Sequence, residues 1–333
     1  MAEYSTIKGW TIPTLSSDPP SPVEGQIWYN STSNDIKCQS YVLGSGVWSS
    51  GGGMVNARLD CGAAGIQTSG LAIGGQTTPT DNYTEKYDGT SWTETGDLNA
   101  GRGYEACFGT QTAAVCGGGA PVNPSGDLTE EFNGTGWTVG NIAPIKTYAQ
   151  MRCGTQTAGL QGSGGFYPEA PFYGTESITY DGTNWAETGD INTGRVYTAG
   201  GGIQTSAVLA GGDPPSYATT AVETYNGSTW STSPASLNVG RGALSGSGTS
   251  ATNCIVYGGN RPPPSTNATE SFDGTSWTEV ADLAAPSSES GFGPTGSNTS
   301  ALCIGGAAGP GRSGVTEEWN VPSGPATKTF TDS

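Results

Sequence analysis

The chain contains no histidine. That removes the commonest general base near neutral pH and the commonest transition-metal ligand. Charge is scarce, at 12% of residues, and the few charges are mostly acidic: 12 Lys+Arg against 29 Asp+Glu give a formal net charge of −17. A chain so poor in cations has no electrostatic footprint for nucleic acid and is repelled by anionic lipid. No apolar run approaches about 18 residues, so no membrane-spanning helix is expected. The opening "MAEYSTIKGW" has neither a basic nor an apolar signal region, so a secretory leader is not expected. The seven cysteines (38, 61, 107, 116, 153, 254 and 303) form no CxxC pair. A zinc site is therefore not expected, and they read as free thiols filling small apolar positions in a reducing compartment.

Glycine is abundant instead, 55 of 333 residues, with nine Trp and fourteen Tyr. The aromatics are regularly placed. "TEKYDGTSWTETGDLNAGR" at 84–102 returns as "TYDGTNWAETGDINTGR" ending at Arg195. The unit aromatic–Asp/Asn–Gly–x–x–Trp occurs at Tyr87–Trp92, Phe132–Trp137, Tyr180–Trp185, Tyr225–Trp230 and Phe272–Trp277. Successive Trp are roughly 45 to 48 residues apart, within the spacing of about 40–50 for propeller-type repeats. Between units an apolar run ends in Gly-Gly, at Gly75, Gly118, Gly165, Gly212, Gly259 and Gly306.

Each unit reads as short strands divided by turns. Asp-Gly and Asn-Gly predict two-residue hairpins with both central residues at positive φ. A small-residue strand after each Arg can crowd near an axis. Four strands per unit make a propeller blade, and no window has a sustained helical period.

The order of Arg, Gly-Gly, aromatic-Asp/Asn and Trp resembles the kelch repeat. The matching residues are Arg102, Gly117-Gly118, Phe132-Asn133 and Trp137 in one copy, and Arg195, Gly211-Gly212, Tyr225-Asn226 and Trp230 in another. The resemblance covers roughly residues 50 to 320. The third unit departs from it with Thr147 at the Arg position, and the last has Glu289 near it. It implies an all-β fold, a six-bladed kelch-like β-propeller with a short N-terminal extension. Seven blades is the alternative if Gln26–Tyr41 supplies further strands. Trp48 precedes Arg58 by the interval that separates Trp92 from Arg102, and no Trp follows Trp319-Asn320 at the usual spacing. Trp48 is thus expected to pair with the strand around Glu317–Trp319. The domains expected are 1–40, a segment with a proline-rich linker ("SDPPSP") and a hairpin, and 41–333, the propeller.

"PVEGQIWYNSTSNDIK" followed by "GVW" resembles a segment of bacteriophage tail-fibre and other virion proteins, and "GTQT" and "YDGTSW" units resemble structural proteins of marine phages. This resemblance implies a non-enzymatic virion protein, assembled in the host cytoplasm. It would be joined to other virion proteins through residues 1–40, be homo-oligomeric, and display the propeller for host attachment. A carbohydrate- or receptor-binding propeller outside any virion is the alternative, and a glycan-active enzyme ranks below both. Neither nucleic acid nor membrane insertion is expected.

No catalytic residue, cofactor or metal ligand is assigned. Two GxGxxG matches, from Gly291 and from Gly309, lack the strand–turn–helix context of a dinucleotide site. No GxSxG elbow is present, and the copper site of kelch-like oxidases needs histidine. Asn82-Tyr83-Thr84 and Asn226-Gly227-Ser228 are glycosylation sequons by composition alone. Glu85, Glu130, Glu223, Glu270 and Glu317 recur two residues before the strand aromatic. A ring of carboxylates could bind Ca²⁺ or hydrolyse glycosides. Their recurrence with the repeat favours a structural role, and Asp97 and Asp190 read as turn residues. The loops after Gly-Gly vary in sequence, and Phe166, Tyr167, Phe172, Tyr173 and Tyr217 are the candidate ligand-facing residues among them.

Overall fold

A computed structural model describes residues 6–7, 10–76, 81–121, 126–165, 173–214, 218–260, 264–291, 293–308 and 311–330. The described residues contain strands and turns and no helix. They divide into two compact units. One is Gly46–Asn320, and the other joins Met1–Ser45 with Val321–Ser333.

The larger unit repeats one four-stranded antiparallel sheet five times. Sheet 1 runs Gly62–Ile66, Ser69–Ile73, Thr84–Tyr87 and Trp92–Glu94. Sheets 2 to 5 begin at Ala106–Thr110, Met151–Thr155, Ala199–Ile203 and Ser245–Ser250, and end at Trp137–Val139, Trp185–Glu187, Trp230–Thr232 and Trp277–Glu279. Sheet 6 is assembled from both ends of the unit: Ser300–Ile304, Thr316–Asn320 and Val47–Ser50. Trp48 stands opposite Trp319, the pairing expected from the sequence.

The first strand is buried except at its hairpin end. The second strand is buried almost throughout, whereas in the last only the Trp is covered and the next two residues are exposed. First strands from neighbouring sheets approach so closely that only small residues fit. A Cβ on Gly201 of sheet 4 would lie 2.3 Å from the backbone nitrogen of Gly248 in sheet 5. Gly293, in the segment ahead of sheet 6, is as tightly placed: a Cβ there, at φ +144°, would lie 1.9 Å from the Ala63 carbonyl oxygen in sheet 1.

The Asp-Gly and Asn-Gly turns differ from the expected two-residue form. Tyr87 pairs directly with Trp92, so four residues make the loop. Only the glycine has positive φ, 93° at Gly89. The Asp88 carboxylate accepts the Thr90 and Ser91 N–H groups at 2.9 and 2.8 Å, which replaces the second left-handed residue with a side-chain cap. This loop brings the aromatic and the Trp together, with ring centroids 4.8 to 5.0 Å apart in the five complete sheets.

Each Trp then ties its sheet to the preceding one through the indole N–H. Trp137 donates to Thr84, Trp185 to Thr129, Trp230 to Ser177, Trp92 to Thr316 and Trp48 to Thr269, at 2.8 to 3.1 Å. Trp277 breaks the series. The residue at the corresponding place is Val222, and the Trp277 nitrogen is buried without a partner. At the opposite end of the sheets, Gln111, Gln156 and Gln204 each donate to two backbone carbonyls of the preceding sheet.

Just ahead of the sheets' first strands runs a second series, made of backbone alone, and this one is closed. Asp60, Tyr104, Ala149, Tyr197 and Ala243 stand two residues before the first strands of sheets 1 to 5, and Glu289 takes the corresponding place ahead of sheet 6. All are left-handed, with φ of 52 to 58°. Each N–H reaches the carbonyl of the previous member: Tyr104 to Asp60, Ala149 to Tyr104, Tyr197 to Ala149, Ala243 to Tyr197, Glu289 to Ala243, and Asp60 back to Glu289, at 2.8 to 3.0 Å.

The smaller unit holds a sheet in the order Thr14–Leu15, Ile27–Asn30, Asp35–Leu43, Ser323–Phe330. Ile27–Asn30 and Asp35–Leu43 form the expected hairpin. The sequence reading placed 41–333 in the repeat array. The structure takes 41–45 and 321–333 out of it, because Ser323–Phe330 pairs along its whole length with Asp35–Leu43. The proline-rich stretch carries no strand, as expected, yet it is anchored. Asp18 accepts hydrogen bonds from the Trp28 indole (3.0 Å), Asn30 (2.7 Å) and Lys37 (3.0 Å). Deleting residues 1–40 would remove the partner of Ala326–Phe330, most of the C-terminal strand. The expectation of seven free thiols also needs correction: Cys107 and Cys116 face each other across sheet 2 and form a disulfide, while Cys38, Cys61, Cys153, Cys254 and Cys303 are free.

The Trp series gives a paired test. Thr84→Val leaves the Trp137 indole without its acceptor and is expected to cost about 1–3 kcal/mol. Val222→Thr offers the Trp277 indole an acceptor and is expected to add about 1 kcal/mol. Urea unfolding of the two variants measures both, and a loss of stability in Val222→Thr would contradict the assignment.

Candidate functional site

The five recurring glutamates are structural. Glu85, Glu130, Glu223 and Glu270 form buried ion pairs with Arg58, Arg102, Arg195 and Arg241, at 2.9, 3.2, 2.8 and 2.8 Å. Their second oxygens accept backbone N–H groups of the segment entering the same sheet, from Val55, Asn99, Asn192 and Asn238. In sheet 6, Glu317 keeps this backbone bond, from Ala284 at 2.8 Å, with Ser287 at the Arg position. Sheet 3 drops both partners together, with Thr147 and Ile178 in their places. There Arg152 is buried instead. It donates to the Ala106 carbonyl and to Gln161 and lies over the Trp185 ring at 5.0 Å, while Gln161 donates to Thr147. Among the described residues no group of three or more acidic, His or Cys side chains is arranged to hold a metal ion.

The asymmetric chemistry lies at the ring of six left-handed residues. Lone backbone bridges join the residue before five of the ring members to a residue at or shortly past Gly-Gly: Leu59 to Gln76, Gly103 to Ala120, Tyr148 to Gly165, Val196 to Asp213 and Ser288 to Ala307. In sheet 5 the Asn260 N–H reaches the Gly242 carbonyl. All six variable loops therefore leave from the ring end. Of the loop aromatics expected to face a ligand, Phe166, Tyr167, Phe172 and Tyr217 lie outside the described residues. Tyr173 is described and half-buried.

Burial, with Tyr173 adding to it, raises the Tyr148 phenol. Tyr104 stands edge-to-face with Tyr148, at 6.3 Å and 73°, and with Tyr197, at 6.0 Å and 69°. All four tyrosines are half-buried. Asp60 and Glu289 are neighbours in the ring, and Glu105 lies one residue inside it. Asp60 is wholly buried. The Tyr104 hydroxyl lies beside its carboxyl, but neither oxygen has a hydrogen bond of good geometry. Burial, with the Glu289 charge adding to it, pushes the Asp60 carboxyl up to about 9. Burial likewise pushes Glu105 up to about 8 against the pull of Arg102. Burial and Asp60 hold the Tyr104 phenol well above its usual range.

Sequence reasoning missed this cluster. Asp60, Tyr104 and Tyr197 sit where the repeat was read as a small-residue strand, and Glu289 was noted only as a departure at the Arg position. The available signal was a negative one. Acidic and aromatic side chains stand at places where other copies have alanine.

The shifted carboxyl has a consequence for stability. Asp60 binds its proton more tightly in the folded chain than in the unfolded one. The stability this gives is complete below about pH 4 and lost as the pH rises toward about 9. Glu105 acts in the same direction, and Tyr104 and Glu289 face the same group. The wild-type melting temperature is expected to fall more between pH 5 and pH 9 than that of Asp60→Asn, and parallel curves would contradict the placement. No protein-family model matches the chain, and a search of the curated proteins found none similar to it.

Proposed function

We propose that the chain is a kelch-like, six-bladed β-propeller serving as a non-enzymatic structural protein of a bacteriophage particle, a tail- or fibre-like component that presents variable loops for host attachment. The observation that carries this reading is the separation of constant from variable parts. What recurs is used in turns, in ion pairs within each sheet and in packing sheet to sheet. The loops that vary after Gly-Gly leave from one end of the array, where Tyr104, Tyr148 and Tyr197 gather. Loops on a rigid scaffold are the usual seat of recognition.

Six blades are supported by the six-membered backbone series and by the Trp48–Trp319 pairing. They are further supported by the strands Ile27–Asn30 and Asp35–Leu43, which belong to the other unit. The non-enzymatic reading is supported by the absence of histidine and by the commitment of the recurring glutamates to arginines and backbone N–H groups. Attachment to other virion proteins falls to the smaller unit, which gathers both ends of the chain. A carbohydrate- or receptor-binding propeller outside any particle is the second reading, favoured by the same tyrosine cluster.

Mass spectrometry of particles purified from the phage whose genome encodes the chain, with a glycan array probed by the purified protein, tests both. Peptides from this chain at a fixed copy number per particle are expected. Their absence, with specific binding on the array, would replace the first reading by the second. Cleaved glycans would contradict the non-enzymatic part of either.

A further inference from the structure

We propose that sheet 6 binds a guanidinium group brought from outside the chain, in the place where sheets 1, 2, 4 and 5 hold their own arginine. The site goes beyond the virion reading and stands or falls apart from it.

Sheets 2 and 6 differ at that place by one side chain. Sheet 2 surrounds Arg102 with Leu98, Cys116, Thr129 and Glu130. Sheet 6 has Leu283, Cys303, Thr316 and Glu317 at the same positions, and Ser287 where the arginine stands. The backbone is held alike in both. The Arg102 N–H donates to the Asp81 carbonyl and the Ser287 N–H to the Thr266 carbonyl, each at 3.1 Å. The Gly75 N–H reaches the Arg102 carbonyl and the Gly259 N–H the Ser287 carbonyl, each at 2.8 Å. Asn99 and Ala284 both give their N–H to the glutamate at 2.8 Å. No larger side chain at these positions takes up the room of the missing arginine. Arg102 is 0% exposed and Ser287 is half-exposed, so that room opens to solvent.

The second observation is the acid left behind. Glu317 is only 5% exposed. Among the described residues its side chain accepts one hydrogen bond, from Ala284, and none of their ion pairs includes it. A buried carboxylate without its counter-ion favours the arrival of positive charge.

The third observation decides which cation fits. In sheet 1 the Arg58 guanidinium spreads over three oxygens: Glu85 Oε1 at 2.9 Å, the Tyr83 carbonyl at 3.1 Å and the Ala72 carbonyl at 3.4 Å. Cys303 stands opposite Glu317 as Ala72 stands opposite Glu85. The Val315 carbonyl accepts the Gly305 N–H at 2.9 Å, as the Tyr83 carbonyl accepts that of Gly74 at 2.9 Å. Sheet 6 therefore keeps the oxygens that receive a guanidinium, those of Glu317, Val315 and Cys303, and lacks the donor. A planar fork of N–H groups matches such a set, whereas an ammonium is a compact, strongly hydrated point charge. The group is the same on a small ion and on an arginine side chain of another protein.

The test is equilibrium dialysis of the full-length protein against radiolabelled methylguanidinium chloride at constant ionic strength, at concentrations on the order of millimolar. Saturation of a single site per chain is expected. Unlabelled methylammonium is expected to compete at least about tenfold more weakly than unlabelled methylguanidinium. Ser287→Arg supplies the group from within, and is expected to abolish binding and to melt above the wild type. Glu317→Gln is expected to weaken binding by at least about tenfold at unchanged circular dichroism. Should it fail to fold, Ser287→Leu, which fills the room without charge, is expected to abolish binding in its place. Nα-acetyl-arginine methylamide separates the two sources: stronger competition than methylguanidinium assigns the site to an arginine of a protein partner, and weaker competition to a free small ion. No saturable binding, equal competition by methylammonium, or binding retained in Ser287→Arg would each overturn the proposal. So would a Ser287→Arg chain that melts below the wild type or does not fold, because the room would then be taken.

Discussion

Six backbone hydrogen bonds, from Asp60 round to Glu289 and back, are the constraint on which the rest of the larger unit depends. A left-handed conformation costs a residue with a side chain roughly 1–2 kcal/mol, and here six such residues, none of them glycine, adopt it. Such strain persists only where the surroundings over-determine it. The left-handed turn aims each N–H sideways at the neighbouring repeat, whereas an extended residue would aim it along its own sheet. The series closes only if every sheet takes the same tilt and spacing. The small residues of the first strands follow from that, since neighbouring strands are drawn within clashing distance at Gly201 and Gly248.

Farther from the ring the same neighbours are held by side chains, and there the repeat tolerates exceptions when they come in compatible sets. Sheet 3 loses Arg and Glu together, so neither buried charge is left alone, and Arg152, Gln161 and Thr147 form a replacement network. Removing only one partner of such a pair is the costly change. Sheet 6 shows what one-sided loss requires: Glu317 survives without an arginine because it keeps a backbone N–H and is slightly exposed. Trp277 has no such remedy and remains the one indole of its series with a buried, unpartnered nitrogen among the described residues.

Much of the fold was legible because it repeats. The Trp spacing located the outer strands, the Gly-Gly pairs ended the second ones, and an orphan Trp48 pointed to the pairing with Trp319. The turn chemistry was misread because an Asx cap does with a carboxylate what a second left-handed residue does in a shorter turn. The fate of Ser323–Phe330 was hidden for another reason. Strand pairing between chain ends depends on a partner nearly three hundred residues away, and "SGPATKTF" carries no repeat signature. The Cys107–Cys116 pair needed the register of a hairpin, which composition does not supply. The tyrosine–acid cluster was least legible of all. A site built from departures at a recurring position is visible only once the recurring positions are known to meet.

Division of labour follows from this geometry. Ion pairs within each sheet and bonds from sheet to sheet consume the recurring polar groups, and one end is left where Asp60, Glu289 and the tyrosines differ from copy to copy. The direct measurement is native-state hydrogen exchange at the six ring amides, those of Asp60, Tyr104, Ala149, Tyr197, Ala243 and Glu289. A closed series opens only when the whole array does. All six are therefore expected to exchange slowly, with one common opening free energy equal to that of global unfolding. Fast or unequal exchange at any of them, with the sheet amides still protected, would contradict the ring as the organising constraint.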